Sequence, residues 1–333
     1  MMGPNMERIR LYFCRTRKSF TKYKLGTVIL LVFLYFVWNV PVMTIFDLCD
    51  RPHYISMEFT GGVGNKMFQY AMMYASSRDK ALTMATELPI ELTDVFNVDE
   101  AISNTQVAKL RKFYCFKTIE DARDCAFESN VTTTKNDGDI HFKGYFQSWM
   151  YWVTYENELR AIFQIKSNIT AKAQRYIGDL LLKNNITKQE LEDLVFIGIH
   201  IRGGDMLTPS KQDFGYQIAT EQYIHNAVGY FNGRFRKTIY IVCSNNMIWA
   251  KSVLSKYANM KYVENMTWEL DMAILSLTNH SIMTVGTFGW WIAWLTGGQT
   301  VYYKYPFRPG SELSKMYSST QKDHFYPSWV GLE

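Results

Sequence analysis

Cysteine and proline are scarce in this chain, at five and eight of 333 residues. No Cys-x-x-Cys pair and no Cys/His set at ligand spacing occurs, so nothing in the spacing indicates zinc. No Asp-x-Asp falls on a plausible strand tip, the pattern by which many sugar transferases hold Mn²⁺. No Ser/His/Asp or Cys/His set has supporting context, which leaves hydrolytic nucleophile chemistry without a candidate. Internal repeats and low-complexity runs are lacking too. Net charge is only +5, from 36 basic and 31 acidic residues. Seven of the basic residues (Arg8, Arg10, Arg15, Arg17, Lys18, Lys22, Lys24) crowd the N-terminus. The remainder is near neutral, so global charge gives no support for a nucleic-acid partner.

What is present is apolar. A hydrophobic content of 47% and an aromatic content of 16% suffice for a packed core. The stretch Leu25 to Phe46 holds no charge over 22 residues, and a helix crossing a bilayer needs about 20. A buried core helix would rarely be free of polar faces behind a basic cluster. A cleaved signal peptide usually has an apolar region of about 7–15 residues ending in small side chains, whereas this run ends in Trp38, Asn39 and Pro41. The expectation is a retained membrane anchor over 25–46, behind a cytosolic tail over 1–24. A short stem over 47–53 then leads to a lumenal or extracellular remainder.

Sequons fit that topology: Asn130, Asn168, Asn185 and Asn265 are candidate glycosylation sites. A fifth, Asn279, leads straight into an apolar strand and is less suited. Cys115 and Cys125 are close enough in sequence to close a local loop in an oxidising compartment.

Beyond the stem, "YISMEF" reads as a strand, "TGGVGNKM" as a glycine loop, and the next segment as a helix with Met67, Tyr70, Ala71 and Tyr74 on one face. "ALTMAT" is a plausible second strand, and residues 155–163 are helical. From 191 the rhythm is cleaner. Strands "LVFIGIHI", "KTIYIVCSNN", "SIMTVG" and "TVYYKY" alternate with helices over 221–231, 248–258, 268–277 and 290–298. Such β/α alternation predicts an α/β fold with parallel sheets, in two domains over 54–190 and 191–333. Ligands bind such sheets at the carboxyl ends of strands, here Gly61–Asn65, His200–Asp205, Ser244–Asn246 and Gly286–Gly289.

Of these tips, "HIRGGD" is the sharpest. Arg202 presents a guanidinium able to grip phosphate with paired donors, and His200 shares its face of an extended strand. Asp205 could accept from a hydroxyl or pair with Arg202. The bland alternatives are a structural ion pair for Arg202 and a satisfied core histidine for His200. "TGGVGNK" and "GTFGWW" each offer backbone N–H groups at a helix start, though either could be a structural turn. Trp290, Trp291 and Trp294 read as helix packing rather than a sugar platform. A diphosphate met by arginine and helix ends needs no metal.

Taken in order, "GGVGNKMFQYAMMYA", "GYFQSWMYW", "HIRGGD", "SNNMIWAK" and "NHSIMTVGTFGWWIAWLTGG" resemble segments of the α-1,2-fucosyltransferases, the galactoside 2-α-L-fucosyltransferase family of Golgi enzymes. The matches span Gly61 to Gly298. The resemblance implies a GT-B-like architecture of two facing Rossmann-like domains, with 54–190 on the acceptor side and 191–333 binding the donor. It implies GDP-β-L-fucose as donor, a galactose-terminated glycan as acceptor, inversion at the anomeric carbon, and no metal or other cofactor. By position, Arg202 would hold the diphosphate with His200 beside it, and Gly64 and Asn65 would meet the donor from the first domain. Asp271 would bind guanine, and Thr287 and Phe288 would contact phosphate. Asp205 is the weak candidate for the base that accepts the acceptor proton, and no base is needed if the sugar cation forms first.

Two motifs depart from the family pattern. Its second arginine is Gly203 here, and its paired aspartates are Asn245 and Asn246. These changes leave open an inactive, membrane-anchored glycan-binding relative, and a transferase using another nucleotide sugar. The oligomeric state stays open.

Overall fold

The computed structural model describes residues 53–98, 116–133, 138–183 and 193–333. The basic tail, the uncharged run 25–46, Cys115 and Asn185 lie outside them. Among the described residues no helix is long and apolar enough to cross a membrane.

Two parallel sheets organise the chain. The first holds β1 (Tyr54–Glu58), β2 (Thr83–Met84), β3 (Phe116–Glu120) and β4 (Asp139–Lys143) in the order β2-β1-β4-β3. The second holds β5 (Val195–Ile201), β6 (Thr238–Ser244), β7 (Met260–Tyr262), β8 (His280–Met283), β9 (Thr300–Tyr303) and β10 (Val330–Leu332). Its order is β10-β9-β8-β5-β6-β7. Neighbouring strands pair in parallel throughout. β5 lies between β6 and β8, with His200 opposite both Cys243 and Met283, so the tips of three strands emerge side by side.

Among the described residues, the helices of seven or more residues are α1 (Val63–Asp79), α2 (Glu156–Ile162), α3 (Ser167–Lys183), α4 (Glu221–Asn232), α5 (Met247–Leu254), α6 (Trp268–Ser276) and α7 (Thr287–Thr296). Alternation along β5 and β6 assigns the layers. Ile197, Ile199, Tyr240 and Val242 face a core completed by Tyr223, Val228 and Phe231 of α4. Ile239, Ile241 and Cys243 face the other way, into a cluster shared with Ile55, Met57 and Phe142 of the first sheet. Met67, Phe68 and Ala71 of α1 and Trp290, Trp291 and Trp294 of α7 fill that shared core.

The three tryptophans pack as the sequence suggests, fully buried and with every indole N–H used. They donate to His324 O at 2.9 Å, Gly64 O at 2.8 Å and Tyr326 Oη at 3.1 Å. Trp152 stacks on Trp291 with centroids 5.5 Å apart. After β9 the chain returns to the first half before adding β10. There Ser148 Oγ donates to Asp323 O at 2.6 Å, Trp149 Nε1 to Lys322 O at 3.0 Å, and Phe127 N to Asp323 Oδ2 at 2.8 Å.

Several element expectations change. "ALTMAT" yields only the two-residue β2, and the helix expected over 248–258 stops at Leu254. α7 begins at Thr287 instead of Trp290, because Gly286 at φ 90° turns the chain directly into helix. Cys125 is a free, buried thiol that donates to Gln147 Oε1 at 3.3 Å, and burial pushes its pKa up. Asn130, Asn168 and Asn265 are exposed. Asn279 is exposed as well, but its side chain is held locally, with Oδ1 accepting from Phe196 N at 2.8 Å.

Candidate functional site

Arg202 leaves the end of β5 fixed at both ends. Its backbone N–H donates to Thr284 Oγ1 at 2.9 Å, and its guanidinium donates from Nε and Nη2 to Asp205 Oδ1 and Oδ2 at 3.3 and 2.7 Å. Asn245 braces this clamp: Nδ2 donates to Asp205 Oδ1 at 2.8 Å while Oδ1 accepts from Gly203 N at 2.9 Å. The Arg202 bond holds the Asp205 carboxyl below its ordinary pKa. Nη1 stays outside the clamp, beside Gly286, where a Cβ would stand 2.9 Å from it. Asn246 has a separate, local job, its side chain capping α5 by accepting from Trp249 N at 3.3 Å.

The starts of α1 and α7 meet next to this arginine. A Cβ on Gly64 would lie 2.6 Å from the Thr287 carbonyl carbon, so only glycine permits the approach. Thr287 Oγ1 donates to Asn65 Oδ1 at 2.7 Å, and Asn65 Oδ1 also accepts from Gln147 Nε2 at 3.4 Å. Neither helix start has a side-chain cap or an acidic residue in its first turn. Each therefore presents unneutralised backbone N–H groups, the arrangement that favours an anion.

Two further walls complete the site. His200 is 8% exposed and its Nδ1 has no hydrogen-bond partner. Burial, aided by the Arg202 charge, pushes its pKa down to about 3, so the ring is neutral at physiological pH. Phe288 lies 5.2 Å from it, centroid to centroid, and Trp268 lies 6.4 Å beyond Phe288. Asp271, on α6, has one buried carboxyl oxygen without a partner. Burial raises its pKa to about 6, opposed by a hydrogen bond with the Cys243 thiol and aided by nearby Glu269.

A cleft of about 470 Å³ joins these walls. Gly64, Asn65, His200, Arg202, Asp205, Asp271, Thr287 and Phe288, all singled out from sequence, line it together. Glu91 and Trp268 line it as well, and the sequence reading had missed both. Trp268 sits three residues before Asp271, one turn away on the same helix face, which was the available signal. Glu91 follows Pro89 in a segment without periodicity and carried none. A second depression of about 440 Å³ lies at the amino ends of β5 and β6, far from every motif. Among the described residues, no group of three His, Cys, Asp or Glu side chains is placed to hold a metal ion.

The model of the family described as glycosyl transferase family 11 matches residues 36–333. The rat protein "Galactoside alpha-(1,2)-fucosyltransferase 1" is 27% identical over 278 residues, covering 82% of this chain and 71% of its own. The human protein of the same name is 30% identical over 279 residues, covering 82% and 73%. Among solved structures, NodZ alpha-1,6-fucosyltransferase co-crystallized with GDP is 13% identical at a TM-score of 0.48, covering 77% of this chain and 96% of its own. That likeness is too weak to add to the sequence relatives.

Proposed function

Since the chain belongs to glycosyl transferase family 11, we propose that it transfers L-fucose from GDP-β-L-fucose to the 2-hydroxyl of a terminal galactose on a glycan. The proposal includes inversion at the anomeric carbon, no metal ion, and a GT-B-like division of labour between the two sheet halves. It also includes a single membrane helix over 25–46 that holds the catalytic part in the Golgi lumen. The curated relatives carry the fucosyl specificity. One observation carries the site: the Arg202 guanidinium lies beside two uncapped helix starts.

Arg202 Nη1 and the N–H groups of α1 and α7 grip the diphosphate and cancel the charge that develops as GDP departs. Donors aimed at developing charge are often the largest single contribution to catalysis. Asp205 is occupied in holding the guanidinium, so the structure favours a clamp over the base role expected of it. His200 is neutral and acts as a hydrogen-bonding ring, not as an acid. The partnerless oxygen of Asp271 suits the N1–H and amino donors of guanine. Thr287 and Asn65 tie the two halves of the grip together.

Full-length protein in detergent, given GDP-fucose with lactose or lacto-N-biose, tests the reading. The expected outcome is GDP release and an α-1,2-fucosylated product. Glycan binding without GDP release on any galactoside establishes an inactive relative instead. Faster turnover of GDP-mannose or a UDP-sugar replaces the donor.

A further inference from the structure

A concerted inverting transfer is helped by a group that takes the proton of the attacking hydroxyl, on the acceptor's side of the sugar and away from the departing diphosphate. Among the described residues, three carboxylates line the cleft: Glu91, Asp205 and Asp271. Asp205 spends both oxygens on Arg202 and one of them again on Asn245. Asp271 stands on α6 with its carboxyl bonded to Cys243 and one oxygen buried without a partner. Both come from the second sheet's half, as does Arg202. Glu91 alone among the three comes from the first half, in the short helical turn Ile90–Thr93 that follows β2.

Glu91 is also fixed. Lys66, the neighbour of Asn65 on α1, donates from Nζ to Glu91 Oε1. The ammonium is largely enclosed and the carboxylate about a third exposed, at 17% and 36%. A carboxylate offers about four lone-pair sites; Lys66 and the residue's own backbone N–H engage it, and the rest remain for a ligand. Lys66 is the charged group that faces Glu91 from the packed elements. Arg202, Asp205 and Asp271 lie elsewhere on the cleft wall, and His200 is neutral there.

Resting on the fucosyl-transfer reading, we infer that Glu91 accepts the proton of the acceptor hydroxyl, with Lys66 as the positioning residue that holds its carboxylate. As the bond from anomeric carbon to phosphate oxygen breaks, its electron pair leaves with GDP. The acceptor oxygen forms the new bond to that carbon, and its proton passes to Glu91 and then to water. The Lys66 bond holds Glu91 below its ordinary pKa, so the carboxylate is ionised and ready across the neutral range.

The test uses the full-length chain as wild type, Glu91→Gln and Lys66→Gln, reading transfer from GDP-fucose to lactose against pH together with GDP affinity. Loss of a general base costs about 10²- to 10⁴-fold, so Glu91→Gln is expected to lower kcat by that factor with GDP affinity unchanged. Lys66→Gln is expected to move the acid limb of the pH–rate profile upward, because the base loses the cation that keeps it ionised. A role confined to packing would not shift that limb. Glu91→Gln turnover within about threefold of wild type overturns the inference, as does a parallel loss of GDP affinity. Both outcomes leave the fucosyl reading standing, whereas wild type that releases no GDP from GDP-fucose removes both.

Discussion

At Arg202 the guanidinium gives Nε and Nη2 to Asp205 and keeps Nη1 outside the clamp. Arg202→Ala is expected to lower kcat/KM about 10²- to 10³-fold, the usual cost of one donor to a developing anion. Its melting temperature should stay near wild type, because the Asp205 left behind is 46% exposed and still bonded to Asn245. Asp121 gives a prediction of a different kind. Burial pushes its pKa from 3.8 to about 7, although Phe146 N donates to it at 2.6 Å. The folded state therefore binds more protons than the unfolded one between those values, and this contribution to stability is present at low pH and lost as pH rises toward 7. Asp121→Asn should flatten the fall in melting temperature across that window, measured by calorimetry; an unchanged slope would contradict the assignment. At this scale Arg202, His200 and Asp271 were legible because each stands at a strand tip or in a recognisable segment. Glu91 was not, since its relation to Lys66 spans 25 residues and exists only after folding.

The site depends on the junction of α1 with α7. Gly64→Ala places a methyl 2.6 Å from Thr287 backbone, and backbone yields less readily than a side-chain tip. Overpacking of this kind costs about 1–3 kcal/mol, and here the separation also breaks the Asn65–Thr287 bond. The variant should lose activity to a greater extent than its fall in melting temperature explains, seen by comparing turnover with thermal unfolding. Both glycine loops could be read from sequence as helix starts, but not that they meet. β5, β6, β8 and β9 were visible through their apolar runs. β3 was not, because its "FKTIE" is half exposed along its length. β4 was hidden by its charged ends, and β7 and β10 by having only three residues each.

Across the whole molecule the two sheets share one buried cluster, and the C-terminal segment crosses back over the first half. Asp323→Ala would leave Phe127 N–H and the Ser318 hydroxyl without their acceptor, at a cost of about 1–3 kcal/mol for a buried group. Calorimetry should show one cooperative transition at lower temperature rather than two, as expected when the halves unfold together. The two-sheet α/β architecture followed from β/α alternation, but the shared core did not, because nothing local in Trp290 or Trp291 says which sheet they seal.

The lining of the cleft has one more consequence. Among the described residues that line it, Arg202 is the one cation, against Glu91, Asp205 and Asp271, with His200 uncharged and Lys66 tied to Glu91 behind the wall. An anion that binds there is therefore drawn in by short-range N–H dipoles and one clamped guanidinium, not by a long-range positive field. Screening by salt weakens long-range attraction first. The association rate of GDP should accordingly vary little with ionic strength, and discrimination among anions should come from fit at close range.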